Sequence, residues 1–118
     1  MENLQRLSVD RAILVGLNAG VFSKEQTATE ESLEELQALL ETAGGECVAT
    51  VLQNRPAPDS HSFVGQGKAE EIAELVKNLQ ADMVIFDNDL TPSQIQALEQ
   101  ITGATVSVSY THLTLPTN

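Results

Sequence analysis

The sequence predicts an α/β domain in which a small, four-stranded, mostly parallel sheet is flanked by three helices. Short, almost continuous apolar runs alternate strictly with longer segments whose apolar residues recur every three or four positions, in the order β-α-β-α-β-α-β. The connections are short, which favours right-handed crossovers between parallel strands. The 118 residues, 42% of them hydrophobic, suffice for one core and exclude a chain of several separately folded domains.

The first half of the chain contains two predicted strands and one helix. Arg11–Leu17 is nearly all apolar, which is typical of a strand buried on both faces of a parallel sheet. Thr27–Glu30 has the S/T-x-x-E form of a capping box and predicts the start of the first helix, and Gly44–Gly45 predicts its end. Glu46–Gln53 is apolar and rich enough in β-branched residues to be the second strand.

The second half predicts two more helices and two more strands. Lys68–Gln80 carries apolar residues at helical spacing, and Asp82–Phe86 follows as the third strand. Thr91–Gln94 combines an N-cap threonine, a proline at the first helical position and a glutamine that can close a capping box. This third helix is expected to end at Gly103, with Ala104–Val108 as the fourth strand.

The charge balance excludes one large class of function. Seventeen Asp and Glu residues against 6 Lys and Arg give a net charge of −11, so the chain repels a phosphate backbone and no direct nucleic-acid binding is predicted. Cys47 stands alone, so no disulfide framework is expected. The lone cysteine favours a reducing, cytoplasmic location. The lack of a long apolar run and of a signal-peptide core in residues 1–10 predicts a soluble protein without a membrane segment.

Gly65–Lys68 at the start of the second helix is the first candidate site, because a helix N-terminus favours an anion. A complete phosphate loop would need glycine at Ser62 and Ser or Thr at Ala69, and Glu70 stands where the dinucleotide fingerprint needs its third glycine. We therefore favour a tight helix entry, with binding of a small anionic ligand kept as the alternative.

Asp87–Asp89 follows the third strand at the sheet edge where α/β proteins usually keep their sites. A phosphoacceptor domain of the response-regulator type would also need an acidic pair after the first strand, where this chain has Leu17 and Asn18. Turn and cap chemistry ahead of Thr91 is the favoured interpretation. No catalytic residue and no metal site are predicted.

The first predicted helix carries an acidic stripe without a basic residue, formed by Glu30, Glu31, Glu34, Glu35 and Glu41. Like charges at i,i+4 spacing are mildly unfavourable on a helix. A solvated face is the default interpretation, and contact with a basic partner surface is the alternative.

Three segments together resemble the N-terminal domain of HflX-type GTPases: Arg55–Asp59, Phe63–Glu71 and Val84–Gln94. The resemblance spans about residues 11–106. It implies a small parallel α/β domain that is followed, in the whole protein, by a helical arm and by a G domain that hydrolyses GTP with Mg²⁺. It also implies association with the large ribosomal subunit, in ribosome splitting or rescue under stress.

For this chain the resemblance implies an accessory or regulatory domain, inactive by itself, because it has no phosphate loop, switch aspartate or N-K-x-D motif. No cofactor is expected here, and the implied partners are its own helical arm and G domain and, through them, the large ribosomal subunit. The alternative is a free-standing module that binds a small anion. We call the following the signature residues and expect them to shape helix entries or a docking edge: Gly65, Gly67, Lys68, Asp87, Leu90, Pro92 and Gln94.

Residues 1–10 are interpreted as an N-terminal extension and residues 11–106 as the domain. Residues 107–118 abandon the Glu-rich style of the preceding chain and resemble a translated cloning adapter, so we predict a non-native tail. A native polar tail is the alternative.

Overall fold

The computed structural model describes residues 11–23 and 27–108 and confirms the α/β class. All strand pairs in these residues are parallel and form one sheet in the order β2-β1-β3-β4, an order that the sequence left open. The predicted extension and residues 109–118 of the predicted tail lie outside the described residues. The elements, in chain order, are β1 Arg11–Ala19, α1 Glu30–Thr42, β2 Glu46–Arg55, α2 Gln66–Leu79, β3 Met83–Phe86, α3 Pro92–Thr102 and β4 Thr105–Val108.

Strand β1 lies inside the sheet and is buried on both faces, as its apolar sequence predicts. Ala12 and Leu14 point to the face covered by α1, which we call the α1 face. Ile13, Val15 and Leu17 point to the opposite face, covered by α2 and α3, which we call the two-helix face. Because successive strand residues point to opposite sides, a strand between two apolar layers must be apolar throughout.

Several elements are longer than their sequence patterns indicate. Strand β1 continues to Ala19 because Asn18 and Ala19 pair with Asn54 and Arg55 at the end of β2. Polar side chains do not end a strand whose backbone still has a partner. Helix α2 begins at Gln66, two residues before the predicted start, with Gly65 as N-cap.

The predicted capping box at Thr27–Glu30 is wrong, since Thr29 is the N-cap of α1. The Ser32 N–H donates to the Thr29 hydroxyl oxygen at 3.0 Å, and the Thr29 N–H donates to the Ser32 hydroxyl oxygen at 2.8 Å. The physical reason is tertiary: the Ala28 N–H donates to the Leu17 carbonyl at 3.1 Å, so the chain is still bound to β1 just before the helix begins.

The predicted start of α3 is confirmed. Thr91 is the N-cap, Pro92 occupies the first turn and Gln94 closes the capping box. The helix ends at Gly103, whose φ of 73° is the left-handed conformation that glycine adopts without strain.

Strand β4 runs through Val108, as its β-branched sequence predicts. Ser107 and Val108, two residues that were also assigned to the tail, pair with Ile85 and Phe86 of β3. Across residues 11–23 and 27–108, the structure has no helix long and apolar enough to cross a membrane.

Candidate functional site at the carboxyl end of the sheet

The carboxyl ends of all four strands lie at one edge of the sheet, because the strands are parallel. The sheet order reverses direction between β1 and β3, since the chain moves outward to β2 on one side and to β4 on the other. Ligands of open α/β sheets usually bind in the crevice at such a reversal point. The connections that follow β1, β2 and β3 meet here, and they contain or adjoin most of the signature residues.

Asn88 bridges this crevice. Its side-chain oxygen accepts a hydrogen bond from the Leu17 N–H at 2.8 Å, and its side-chain nitrogen donates to the Leu17 carbonyl at 3.1 Å. One residue earlier, the Asp87 N–H donates to the Val15 carbonyl at 2.8 Å. Asn88 is 7% exposed. The protein's own groups therefore join β1 to the β3–α3 connection where a ligand would otherwise enter.

A cluster of aromatic rings lies beside this bridge. The Phe63 ring is 3% exposed and stacks on Phe22 with centroids 6.2 Å apart, and its edge contact with Phe86 has a centroid distance of 6.0 Å. Phe63 has a φ of 67°, a conformation that is rare for a bulky residue and costs about 1–3 kcal/mol. The strained backbone directs the Phe63 side chain into the core, and burial of the ring offsets the strain.

The Asp59 carboxylate organises the loop that leads to Phe63. It accepts hydrogen bonds from the His61 N–H at 2.8 Å and the Ser62 N–H at 3.1 Å, and these bonds lower the pKa of Asp59. The backbones of Asp59 and Phe63 also form an antiparallel bridge. Ser62, 2% exposed, donates its hydroxyl proton to the Val64 carbonyl at 2.7 Å. The loop is thus fixed by local hydrogen bonds.

Gln94 connects α3 to the same loop. Its side-chain oxygen accepts from the Thr91 N–H at 2.9 Å, which completes the helix cap. Its side-chain nitrogen donates to the Asp59 carbonyl at 3.2 Å and lies 3.5 Å from the Ser60 carbonyl. One buried amide therefore caps a helix and holds the loop between β2 and α2.

The start of α2 is packed against the end of β2. The Gly65 N–H donates to the Gln53 side-chain oxygen at 3.0 Å, and a Cβ atom on Gly65 would lie 2.5 Å from the Arg55 Nη1 atom. A larger residue at this position would have to displace the Arg55 guanidinium, the mobile end of a long side chain. The Lys68 ammonium group pairs with Glu71 at 2.9 Å. The Gly65 N–H and the Lys68 ammonium group, which would bind an anion, thus already have partners within the protein. Binding of a small anion at this helix start stays a prediction.

The other signature residues occupy less specific positions. Gly67 is exposed in the first turn of α2 and a Cβ there would meet nothing, while Pro92 is exposed at the start of α3. Leu90 is half-buried against the core of the two-helix face. The structure thus places the signature residues in two groups, one at each helix start, and the Asp59–Phe63 loop lies between them.

Sequence reasoning missed the residues that join these groups. The sequence around Asn88 indicates turn and cap chemistry, whereas its buried amide binds the β1 backbone. Gln53 and Phe63 carried no signal for their contacts, because strand partners and a left-handed φ depend on the assembled sheet. In the described part of the chain, no group of three or more His, Cys, Asp or Glu side chains is placed to hold a metal ion.

Comparison with known proteins identifies the domain. The family model described as "GTP-binding GTPase N-terminal" matches residues 30–115. The GTPase HflX of Alkalihalophilus pseudofirmus is 34% identical over 106 residues, which are 90% of this chain and 24% of that protein. The GTPase HflX of Caldanaerobacter subterraneus is 39% identical over 115 residues, 98% of this chain and 25% of that protein.

The match with the GTPase HflX of Escherichia coli is shorter, with 44% identity over 71 residues, 60% of this chain and 17% of that protein. The chain thus spans about a quarter or less of the length of these curated relatives. Because the family model covers more than half of the chain, the chain belongs to the GTP-binding GTPase N-terminal family and corresponds to the N-terminal domain of HflX-type GTPases.

Proposed function

We propose that this chain is the accessory, non-catalytic N-terminal domain of a cytoplasmic GTPase that associates with the large ribosomal subunit and acts in ribosome splitting or rescue under stress. Its signature residues form a rigid edge on which the helical arm and G domain of the whole protein dock. GTP and Mg²⁺ are needed by that G domain and not by this domain.

One observation carries the proposal: at the carboxyl edge of the sheet, three polar side chains are bound to the protein itself. Asn88 binds Leu17, Gln94 binds the Asp59 carbonyl and Gln53 binds Gly65. Such contacts stiffen a surface, as expected of a docking platform, and leave little room for a reaction site.

The test is a chimera in which this chain replaces the corresponding segment of the Caldanaerobacter GTPase HflX. GTP hydrolysis and co-sedimentation with purified large ribosomal subunits are measured for the chimera, for the intact relative and for the relative without that segment. We expect the chimera to match the intact relative in both measurements, and the isolated chain to hydrolyse no GTP.

A matched pair of variants in the chimera tests the docking edge. Gln94→Ala removes the contact between α3 and the Asp59 loop, whereas Gln96→Ala changes an exposed glutamine on the same helix. We expect only Gln94→Ala to weaken co-sedimentation or to alter GTP hydrolysis. GTP hydrolysis by the isolated chain, or a chimera no better than the truncated relative, would overturn the proposal.

A further inference from the structure

The α1 face has an open groove along its edge strand. The groove, of about 410 Å³, is lined by Glu30, Leu33, Glu34, Thr50 and Leu52, and we call it the acidic groove. Gly16 lies at its inner side: a Cβ there would come within 3.4 Å of Leu33 and 3.5 Å of Leu52. The missing side chain lets the two leucines form a shared apolar floor.

Strand β2 forms the outer wall of this groove and has a free edge. It is an end strand of the sheet, ten residues long, and within the described residues it pairs only with β1. Its outward N–H and C=O groups are a template on which an extended peptide can add as a further strand. Thr50 is exposed and Leu52 is half-buried on the α1 face, so the helix leaves this part of the strand uncovered.

The opposite wall is acidic, because Glu30 and Glu34 in the first two turns of α1 line the groove. Outside the groove, near the end of α1, burial raises the pKa of the Cys47 thiol and the nearby Glu41 carboxylate raises it further. The two arginines nearest β2, at the start of β1 and at the end of β2, do not balance this wall. Arg11 pairs with Glu46 at 3.0 Å, and Arg55 packs on Gly65 at the start of α2.

We propose that the acidic groove and the edge of β2 bind an extended basic segment of a partner protein, in which lysine or arginine occupies every second position. Glu30 and Glu34 are separated by about 6 Å along the helix axis, and alternate side chains of a strand by about 6.6 Å. Basic side chains on one side of the added strand therefore match the two carboxylates.

The same side chains also suit the floor of the groove. The methylene stem of lysine or arginine can lie on Leu33 and Leu52 while its charged end reaches a carboxylate. A second copy of this chain is a poor occupant, because its net charge is also −11 and its own acidic helix would face the first. An RNA strand is repelled for the same reason. This proposal does not depend on ribosome association.

Calorimetric titration tests the proposal, with a short synthetic peptide in which lysine alternates with valine or threonine as the probe. We expect saturable binding in a one-to-one ratio. The double variant Glu30→Gln/Glu34→Gln should weaken Kd at least about tenfold, which corresponds to about 1.4 kcal/mol. The matched control Glu70→Gln/Glu74→Gln removes two exposed carboxylates at the same spacing on α2 and should change Kd less than about twofold.

Two further measurements separate strand addition from charge attraction alone. A peptide N-methylated at alternate residues keeps its charge and loses backbone donors, so it should not bind. Hydrogen exchange should slow in β2 on binding and stay unchanged in β4, the other edge strand. Equal weakening by both double variants, retained binding of the N-methylated peptide, protection of β4 or absence of saturable binding would each overturn the proposal.

Discussion

The two faces of the sheet are closed in different ways. On the two-helix face, Val84, Phe86 and Val106 from β3 and β4 are buried under α2 and α3. On the α1 face, a single helix packs over β1 and β2, and the outer strands present Thr50 and Thr105, both exposed.

This difference follows from the number of helices that pack on each face. A parallel sheet needs helices on both faces, and three crossovers provide two helices for one face and one for the other. Side chains beyond the reach of the single helix stay in contact with water, so the sequence has polar residues there. The two-helix face has the larger buried cluster, while the α1 face has a smaller one and retains an open groove and a free strand edge.

Phe86→Ala should give the largest loss of stability, because the ring is fully buried on the two-helix face and contacts Phe63. We expect about 3–5 kcal/mol less stability in urea unfolding. Leu52→Ala, at the half-buried floor of the acidic groove, should lose about 1 kcal/mol or less. Equal losses would contradict the unequal closure of the two faces.

Asn88→Ala should cost about 1–3 kcal/mol, since it removes the side-chain acceptor of the buried Leu17 N–H, while the Leu17 carbonyl keeps its hydrogen bond from the Ala28 N–H. Asp89→Ala, an exposed neighbour, should stay within about 0.5 kcal/mol of the parent. Denaturant unfolding gives both values, and the hydrogen exchange rate of the Leu17 amide reports the local effect. An unchanged Leu17 exchange rate would show that the bridge does not hold β1.

Gly16→Ala tests how closely the segment before α1 approaches β1, because its Cβ would lie 2.4 Å from the Cβ of Ala28. We expect about 1–3 kcal/mol of destabilisation from overpacking. Adding Ala28→Gly removes the opposing methyl group and should restore part of the loss. A double-mutant cycle in thermal or urea unfolding measures this coupling, and strictly additive effects would be inconsistent with the contact.

Thr29→Ala and Thr27→Ala should give the smallest changes in stability. Thr29 caps α1, so its loss should cost about 1 kcal/mol. The Thr27 hydroxyl is buried and has no hydrogen-bond partner among the described residues, so its removal should be neutral or slightly stabilising. Thermal unfolding of both variants measures the difference. A larger loss of stability for Thr27→Ala than for Thr29→Ala would support the capping box at Thr27–Glu30 that the sequence predicts.

The sequence predicted an element well where the interactions that form it lie within a few residues. The run Arg11–Leu17 is apolar because both faces of β1 are covered, and Thr91–Gln94 forms its cap within a few residues, so both predictions are confirmed. The predicted start of α1 failed because Ala28 is held by Leu17, a residue distant enough in sequence that no capping pattern reveals it.

The candidate site shows the same division. The motif around Gly65 indicates a tight helix entry, and Gly65 is the N-cap of α2 with the Arg55 guanidinium close beside it. Asn88 and Gln94 stood in segments that the sequence singled out. Their partners, Leu17 of β1 and the Asp59 carbonyl of the β2–α2 connection, come near only when β1, β2 and β3 align at one edge.

The sequence by itself determined the α/β class, the number and order of the elements, the family and the acidic surface of α1, because periodicity, caps and charge act over a few residues. Tertiary structure alone decided the strand order β2-β1-β3-β4, the bridge from Asn88 to Leu17 and the groove between α1 and β2. These features depend on which strands become neighbours, and parallel pairing between distant segments leaves no pattern within any one of them.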